Sequence, residues 1–205
     1  FSMDIAATAN CNRCHDPLAI HGGGRIEVKY CVTCHNAGST DANSTNTVDM
    51  KVMIHKIHRG ANLPSVLAGG EYAIWGFRDS KHDYSDVHYP QDIRNCVNCH
   101  VGTGTVGDRT DLVLTSQGDN WAQVPTAAAC GSCHDDVLGP DDHIGSKPDD
   151  SGCASCHSTG GRAGSVEDSH AMLVADAMGD FEATVESVRN TAPGQFPEVT
   201  FRVTN

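Results

Sequence analysis

Aromatic side chains are scarce in this chain: five Phe, four Tyr and two Trp stand among 205 residues. The whole hydrophobic set reaches only 39%. A domain of this size normally buries roughly two-thirds of its unfolded surface, and side chains so composed do not supply a conventional core. Basic residues are few as well. The 14 Lys and Arg face 26 Asp and Glu, for a formal charge of −12, which argues against the basic face that nucleic acid requires. No apolar run approaches the roughly 18 residues of a membrane-spanning helix. Residues 1–10 (FSMDIAATAN) have neither a basic start nor an apolar stretch, so no signal peptide is readable there. The sequence reads as a mature or excised chain, and export has to be inferred from elsewhere.

Cysteine, by contrast, is abundant, and the ten residues are all paired in sequence. They fall as Cys11/Cys14, Cys31/Cys34, Cys96/Cys99, Cys130/Cys133 and Cys153/Cys156, each pair followed at once by a histidine: His15, His35, His100, His134 and His157. This is C-x-x-C-H, the attachment signature of c-type haem, five times over. Two thiols three positions apart can form thioethers with the two vinyl groups of one porphyrin, and the adjoining imidazole reaches the iron from the same side. Zinc sites use such pairs two at a time, need no histidine after each, and leave one of five pairs without a mate. A disulfide framework leaves the five histidines unexplained. Five haem c groups are therefore expected. Thioether attachment takes place outside the cytoplasmic membrane, so the protein is expected to be exported. At one haem per 41 residues, porphyrins lie close together and provide the apolar filling that the side chains lack.

Twelve histidines less five leaves seven: His21, His55, His58, His82, His88, His143 and His170. A second axial histidine closes the iron and favours low-spin electron transfer, whereas an open face invites substrate. Val48–Arg59 (VDMKVMIHKIHR) reads as a helix, with Asn46 or Thr47 as cap and Gly60 as stop. His55 and His58, three apart, share one of its faces. His21 precedes Gly22-Gly23-Gly24, where backbone can approach a porphyrin closely. His143 stands in an acidic, turn-rich stretch, and His170 on a helix expected from about Val166 to Met178. His82 and His88 lie in a polar loop and read as solvated. Spacing leaves open which iron each spare histidine serves.

The expected fold is a multihaem cytochrome c, with few short helices and much loop wrapped round five haems and a short β segment at the C-terminus. Residues 1–178 form the pentahaem domain. Residues 179–205 form a β-strand tail, because Phe181, Ala183 and Val185, and then Val199, Phe201 and Val203, alternate with polar residues. Gly69-Gly70 is expected to turn a hairpin between Ser65–Ala68 and Glu71–Phe77. Trp121 either stacks on a porphyrin or fills space beside one. The aspartates from Asp135 to Asp150 suit a solvated acidic loop better than a calcium site, since EF-hand spacing is missing.

CNRCHDPLAIHGGGR, YCVTCHN, KVMIHKIHRG, YPQDIRNCVNCH and ACGSCH…H…CASCH…H together resemble one pentahaem domain of the outer-membrane decahaem cytochromes of metal-reducing bacteria, the OmcA/MtrC family. The resemblance runs over most of residues 5–175. It implies distal ligands at His21, His55, His58, His143 and His170, leaving His82 and His88 unassigned. It also implies pentahaem domains alternating with split β-barrels, so the tail reads as the start of such a barrel. The implied function is electron transfer through five bis-histidine haems in a branched chain. The implied partners are other multihaem cytochromes or a porin–cytochrome complex, and the implied acceptors iron or manganese oxides, chelated metals or flavins. The location that goes with this is the outer-membrane surface, the extracellular space or the periplasm. The alternative is a multihaem reductase with one open-faced haem. The pentahaem nitrite reductases carry lysine in place of the motif histidine at their catalytic haem, and none of the five motifs here ends in lysine.

Overall fold

A computed structural model describes residues 3–104, 111–136, 143, 150–172 and 181–205. Secondary structure is sparse in it, as glycine content and low hydrophobicity imply. Helices α1 (Thr8–Cys11) and α2 (Val28–Cys31) are single turns ending on the first cysteine of a motif. Helix α3 (Met50–Arg59) is the one α-helix among the described residues longer than four residues. Its cap is Asp49, whose carboxylate accepts from Lys51 N. The expected caps Asn46 and Thr47 instead serve the loop before it, Asn46 Nδ2 donating to the Ala73 carbonyl at 2.9 Å. Gly60 stops α3 at φ +43°, and a Cβ there would fall on the Val87 carbonyl. Lys56 and Arg59 stand in the last turn, where positive charge complements the exposed carbonyls.

The Gly69-Gly70 expectation needs correction. Pro64–Leu67 is a short helix, α4, with proline in its first turn, where its missing N–H is not needed. Gly69, at φ +93°, ends that helix, and its N–H and that of Gly70 donate to Val66 and Ser65 at 2.9 Å each. The hairpin lies one step further on. Strand β1 (Ala73–Trp75) pairs antiparallel with β2 (Lys81–Asp83), across a turn carrying Arg78 and Asp79 at positive φ. A glycine pair ends a helix as readily as it turns a strand, and Pro64 decides between them.

Helices α5 (Asn120–Gln123), α6 (Ala127–Cys130), α7 (Cys153–Cys156) and α8 (Val166–Ser169) complete the helical set. The last is capped by Ser165 and ends at His170, with Ala171 and Met172 outside any helix. It is therefore shorter than expected, and residues 173–178 of the expected span lie outside the described residues. The chain divides into two units, Phe1–His170 and Ala171–Asn205. In the second, β3 (Glu182–Arg189) pairs antiparallel with β4 (Glu198–Thr204), Val185 opposite Phe201 and Val188 opposite Val199. The β tail and the fold class as a whole follow the expected pattern.

The polypeptide core is small. Among the described residues Val52, Leu63, Tyr72, Ala73, Val101 and Leu112 are its buried hydrophobic members. Polar side chains tie the loops across it. Asn10, 4% exposed, donates to the carbonyls of Cys99 at 3.3 Å and Val113 at 2.9 Å and accepts from Val113 N at 2.8 Å. Replacing it by alanine strands buried backbone groups on two segments. Asn10→Ala is expected to cost about 2–4 kcal/mol, read as a lowered thermal midpoint of the haem-loaded protein. A midpoint equal to the parent's contradicts that role.

Candidate haem sites

All five motifs share one local turn. The histidine N–H donates to the carbonyl of the first cysteine in each: His15 to Cys11 and His35 to Cys31 at 3.0 Å, and His100 to Cys96, His134 to Cys130 and His157 to Cys153 at 2.9 Å. One i→i−4 turn thus carries both thiols and the imidazole, which is why the motif is readable locally. None of the ten cysteines is in a disulfide. Burial pushes the Cys96 and Cys99 thiols up to about 11. Among the described residues no three His, Cys, Asp or Glu side chains converge on one point.

The ten cysteines, equivalent in the motif, are not equally placed in the fold. Cys14, Cys34 and Cys130 are exposed, whereas Cys11, Cys31, Cys96, Cys99, Cys133, Cys153 and Cys156 are partly covered by the chain. The hydrogen bonds of Cys34 stay within its own loop. Its N–H donates to the Cys31 carbonyl at 3.2 Å, and its thiol lies 3.8 Å from Thr33 Oγ1. Its carbonyl accepts from Ser39 Oγ at 3.1 Å and Asn36 Nδ2 at 3.4 Å. The motif turn and the loop after it therefore position Cys34.

Each motif histidine faces a different spare histidine. Ring centres are 6.1 Å apart for His15 and His58, 6.0 Å for His35 and His21, and 5.9 Å for His100 and His55. They are 6.2 Å apart for His134 and His170, and 5.8 Å for His157 and His143. The rings meet at varied angles, from 24° for His35 and His21 to 83° for His15 and His58. Two imidazoles on opposite faces of one metal, each bonded at about 2.0 Å, have nitrogens about 4 Å apart and ring centres about 6 Å apart. All five pairs fit that spacing.

Backbone carbonyls orient several of these rings. The Nδ1 atoms of His35, His58 and His170 donate to Val48, Ile54 and Val166 at 2.9, 2.8 and 2.7 Å. A carbonyl can only accept, so Nδ1 carries the proton and Nε2 keeps the free lone pair that ligates metal. Burial holds His55 below its ordinary pKa and pushes His100 down to about 4, again toward the neutral form that binds metal. His21 is presented by a tight turn: it and Gly22 and Gly23 have positive φ, inside the Ile20–Arg25 bridge. No described atom lies within 4 Å of a Cβ built on Gly22, Gly23 or Gly24.

Adjacent motifs touch in a definite order. Val28 N donates to Thr8 Oγ1 at 2.9 Å, joining the first two. Asn10 joins the first to the third, and the Cys99 thiol lies within electrostatic reach of Cys11 and Cys14. Cys96 lies similarly close to Cys133 of the fourth. Ala127 N donates to Asp150 Oδ1 at 2.8 Å, joining the fourth to the fifth. Helix α3 is held to the fourth motif by Lys56, whose ammonium meets Asp135 at 2.6 Å. Burial pulls the Asp135 carboxyl up, but hydrogen bonds from Lys56 and Ser65 outweigh it and keep it below its ordinary range.

His82 and His88 are exposed, and neither ring faces a motif histidine; His82 Nε2 meets Ser80 Oγ at 3.1 Å. Trp121 lies on α5, which contacts α8, the helix before His170. Its indole N–H is buried without a hydrogen-bond partner. Of the aspartates suggested for calcium, Asp141, Asp142 and Asp149 lie outside the described residues, while Asp135 and Asp150 are engaged by protein donors. Sequence reasoning missed Tyr89, whose ring stands edge-on to His58 at 5.7 Å. Its one signal was its place in the YPQDIRNCVNCH stretch.

The model of a protein family described as outer membrane cytochrome MtrC/MtrF-like, domains II/IV, matches residues 3–171. The chain belongs to this OmcA/MtrC family of multihaem cytochromes. The cytochrome domain is 29% identical over 162 residues to the multihaem cytochrome MtrC of Shewanella baltica (strain OS185), a match covering 78% of this chain and 19% of that protein. It also superposes on the crystal structure of the outer membrane decahaem cytochrome OmcA with a TM-score of 0.64 and 28% identity, covering 99% of this chain and 29% of that one. The domain thus spans less than a third of either relative. Covalent haem c and electron transfer are general properties of the family.

Proposed function

We propose that this cytochrome domain holds five c-type haems, each closed by two histidines, and moves electrons between them. The axial pairs are His15 with His58, His35 with His21, His100 with His55, His134 with His170, and His157 with His143. The two cysteines of each motif form the thioethers, the exposed Cys14, Cys34 and Cys130 among them. The observation that carries the reading is the one-to-one facing of motif and spare histidines at 5.8–6.2 Å. Bound haem supplies a one-electron couple at each site. The chain's own part is to occupy both axial positions, to orient several of the imidazoles through backbone carbonyls, and to set the sites side by side. The contacts between motifs favour the order second, first, third, fourth, fifth. Such a row serves an extracellular conduit at the outer-membrane surface, drawing electrons from other multihaem cytochromes or a porin–cytochrome complex and delivering them to metal oxides, chelated metals or flavins. Among the described residues no helix is long and apolar enough to cross a membrane.

The alternative, a reductase with an open-faced haem, lacks an observation in its favour, since every motif histidine has a histidine opposite. Electron paramagnetic resonance of the oxidised protein tests the point. The expected result is five low-spin ferric haems per chain; a high-spin signal amounting to one haem per chain overturns full closure.

A further inference from the structure

A cleft of about 240 Å³ opens beside His58, with Arg59, Asn62, Tyr89, Gln91 and Asp92 also in its lining. It is smaller than the roughly 300–1,000 Å³ of pockets that enclose a drug-sized ligand, so it suits a single small polar group. Arg59 Nε is buried there with no hydrogen-bond partner. A guanidinium presents a planar fork matched to carboxylates, and a buried donor left unpaired is costly. The carboxylate beside it is already engaged: Arg94 grips Asp92 through Nε at 3.0 and 3.1 Å and through a terminal nitrogen at 2.6 Å. The arrangement therefore holds, beside His58, a cationic donor, an amide side chain at Asn62 and one carboxylate, Asp92, whose oxygens Arg94 already grips although its charge also reaches Arg59.

We propose that Arg59, with Asn62, seats a propionate carboxylate of the haem held between His15 and His58. This rests on the reading of that pair as axial ligands. One helix then controls two features of the same haem: His58 closes its iron and Arg59 anchors its charged edge. The arginine also places positive charge near that iron. Reduction adds an electron, so the nearby cation favours the reduced state and raises the potential.

The test is a potentiometric titration of the haem-loaded domain as Arg59→Gln and, for comparison, the charge-neutral double variant Asp92→Asn/Arg94→Gln. The glutamine at 59 is expected to lower the midpoint of one haem, and the double variant to leave all midpoints in place, because Arg94 and Asp92 neutralise each other and are removed together. Equal shifts in both variants, or none in Arg59→Gln, overturn the proposal. Should Arg59→Gln fail to take up haem, Arg59→Lys with 13C-labelled propionates decides by redox-difference infrared spectroscopy. One carboxylate band is expected to move, and an unmoved spectrum refutes the seat. A high-spin haem in the parent refutes the axial pairing instead, so the two failures are distinguishable.

Discussion

Replacing His58 by methionine is expected to raise the potential of one haem by on the order of 0.1 V, since a Met/His iron sits above a bis-His one and axial ligands command a range of about 0.8 V. The affected haem should be the one attached at Cys11 and Cys14, because His58 faces His15. His55→Met should act in the same direction on the haem at Cys96 and Cys99, because His55 faces His100. The two variants separate cleanly although the residues are one helical turn apart. Helix α3 points its two imidazoles at different partners, and three residues at about 100° each leave them about 60° apart round the axis. Potentiometry combined with paramagnetic resonance reads the result. Unchanged potentials in both variants remove these residues from the ligand set, and a shift of the same haem in both contradicts the pairing.

The second large effect concerns folding. A chain produced where haem is not attached is expected to lack a cooperative unfolding transition. The described polypeptide buries few large apolar side chains, and Leu63 and Val101 are the only hydrophobic ones among its largest fully buried members. Its α-helices, α3 apart, are single turns, far below the roughly 12–15 residues at which an isolated helix becomes marginal. Porphyrin surface then has to supply most of the burial that offsets chain entropy, about 1–2 kcal/mol per ordered residue. Circular dichroism and amide exchange of the haem-free chain check this. A sharp thermal transition with protected amides shows that the polypeptide packs by itself, and the haems then bind to a preformed frame.

How much is legible in the sequence depends on how local each interaction is. Helix α3 is readable from His55, His58 and Gly60, yet its cap is Asp49 because the Asn46 side chain is spent on Ala73, 27 residues away. The Gly69-Gly70 turn misleads because α4 depends on Pro64 and on Asp135, which accepts from the backbone N and hydroxyl of Ser65 at 3.0 and 2.7 Å. Nothing within a ten-residue window announces that contact. Asn10 escapes sequence reading for the same reason: its three hydrogen bonds reach residues 89 and 103 positions on. The exposure of Cys34 beside the cover over Cys99 is likewise invisible in two identical motifs, because neighbouring segments and not the motif set it. The tail is easier, since alternation at 181–185 and 199–203 is a property of each strand alone.

By itself the sequence determined the number of attachment motifs and the turn each adopts, because the bond from histidine N–H to cysteine carbonyl closes within five residues. It also determined that α3 offers two imidazoles on one face. Only the tertiary structure decided which spare histidine faces which motif. His143 lies nine residues from His134 and fourteen from His157 in the chain, yet its ring faces His157. That choice, like the order in which the motifs touch, is set by contacts between segments far apart in sequence, such as Asn10 with Cys99 and Lys56 with Asp135. Spacing alone carries no record of them.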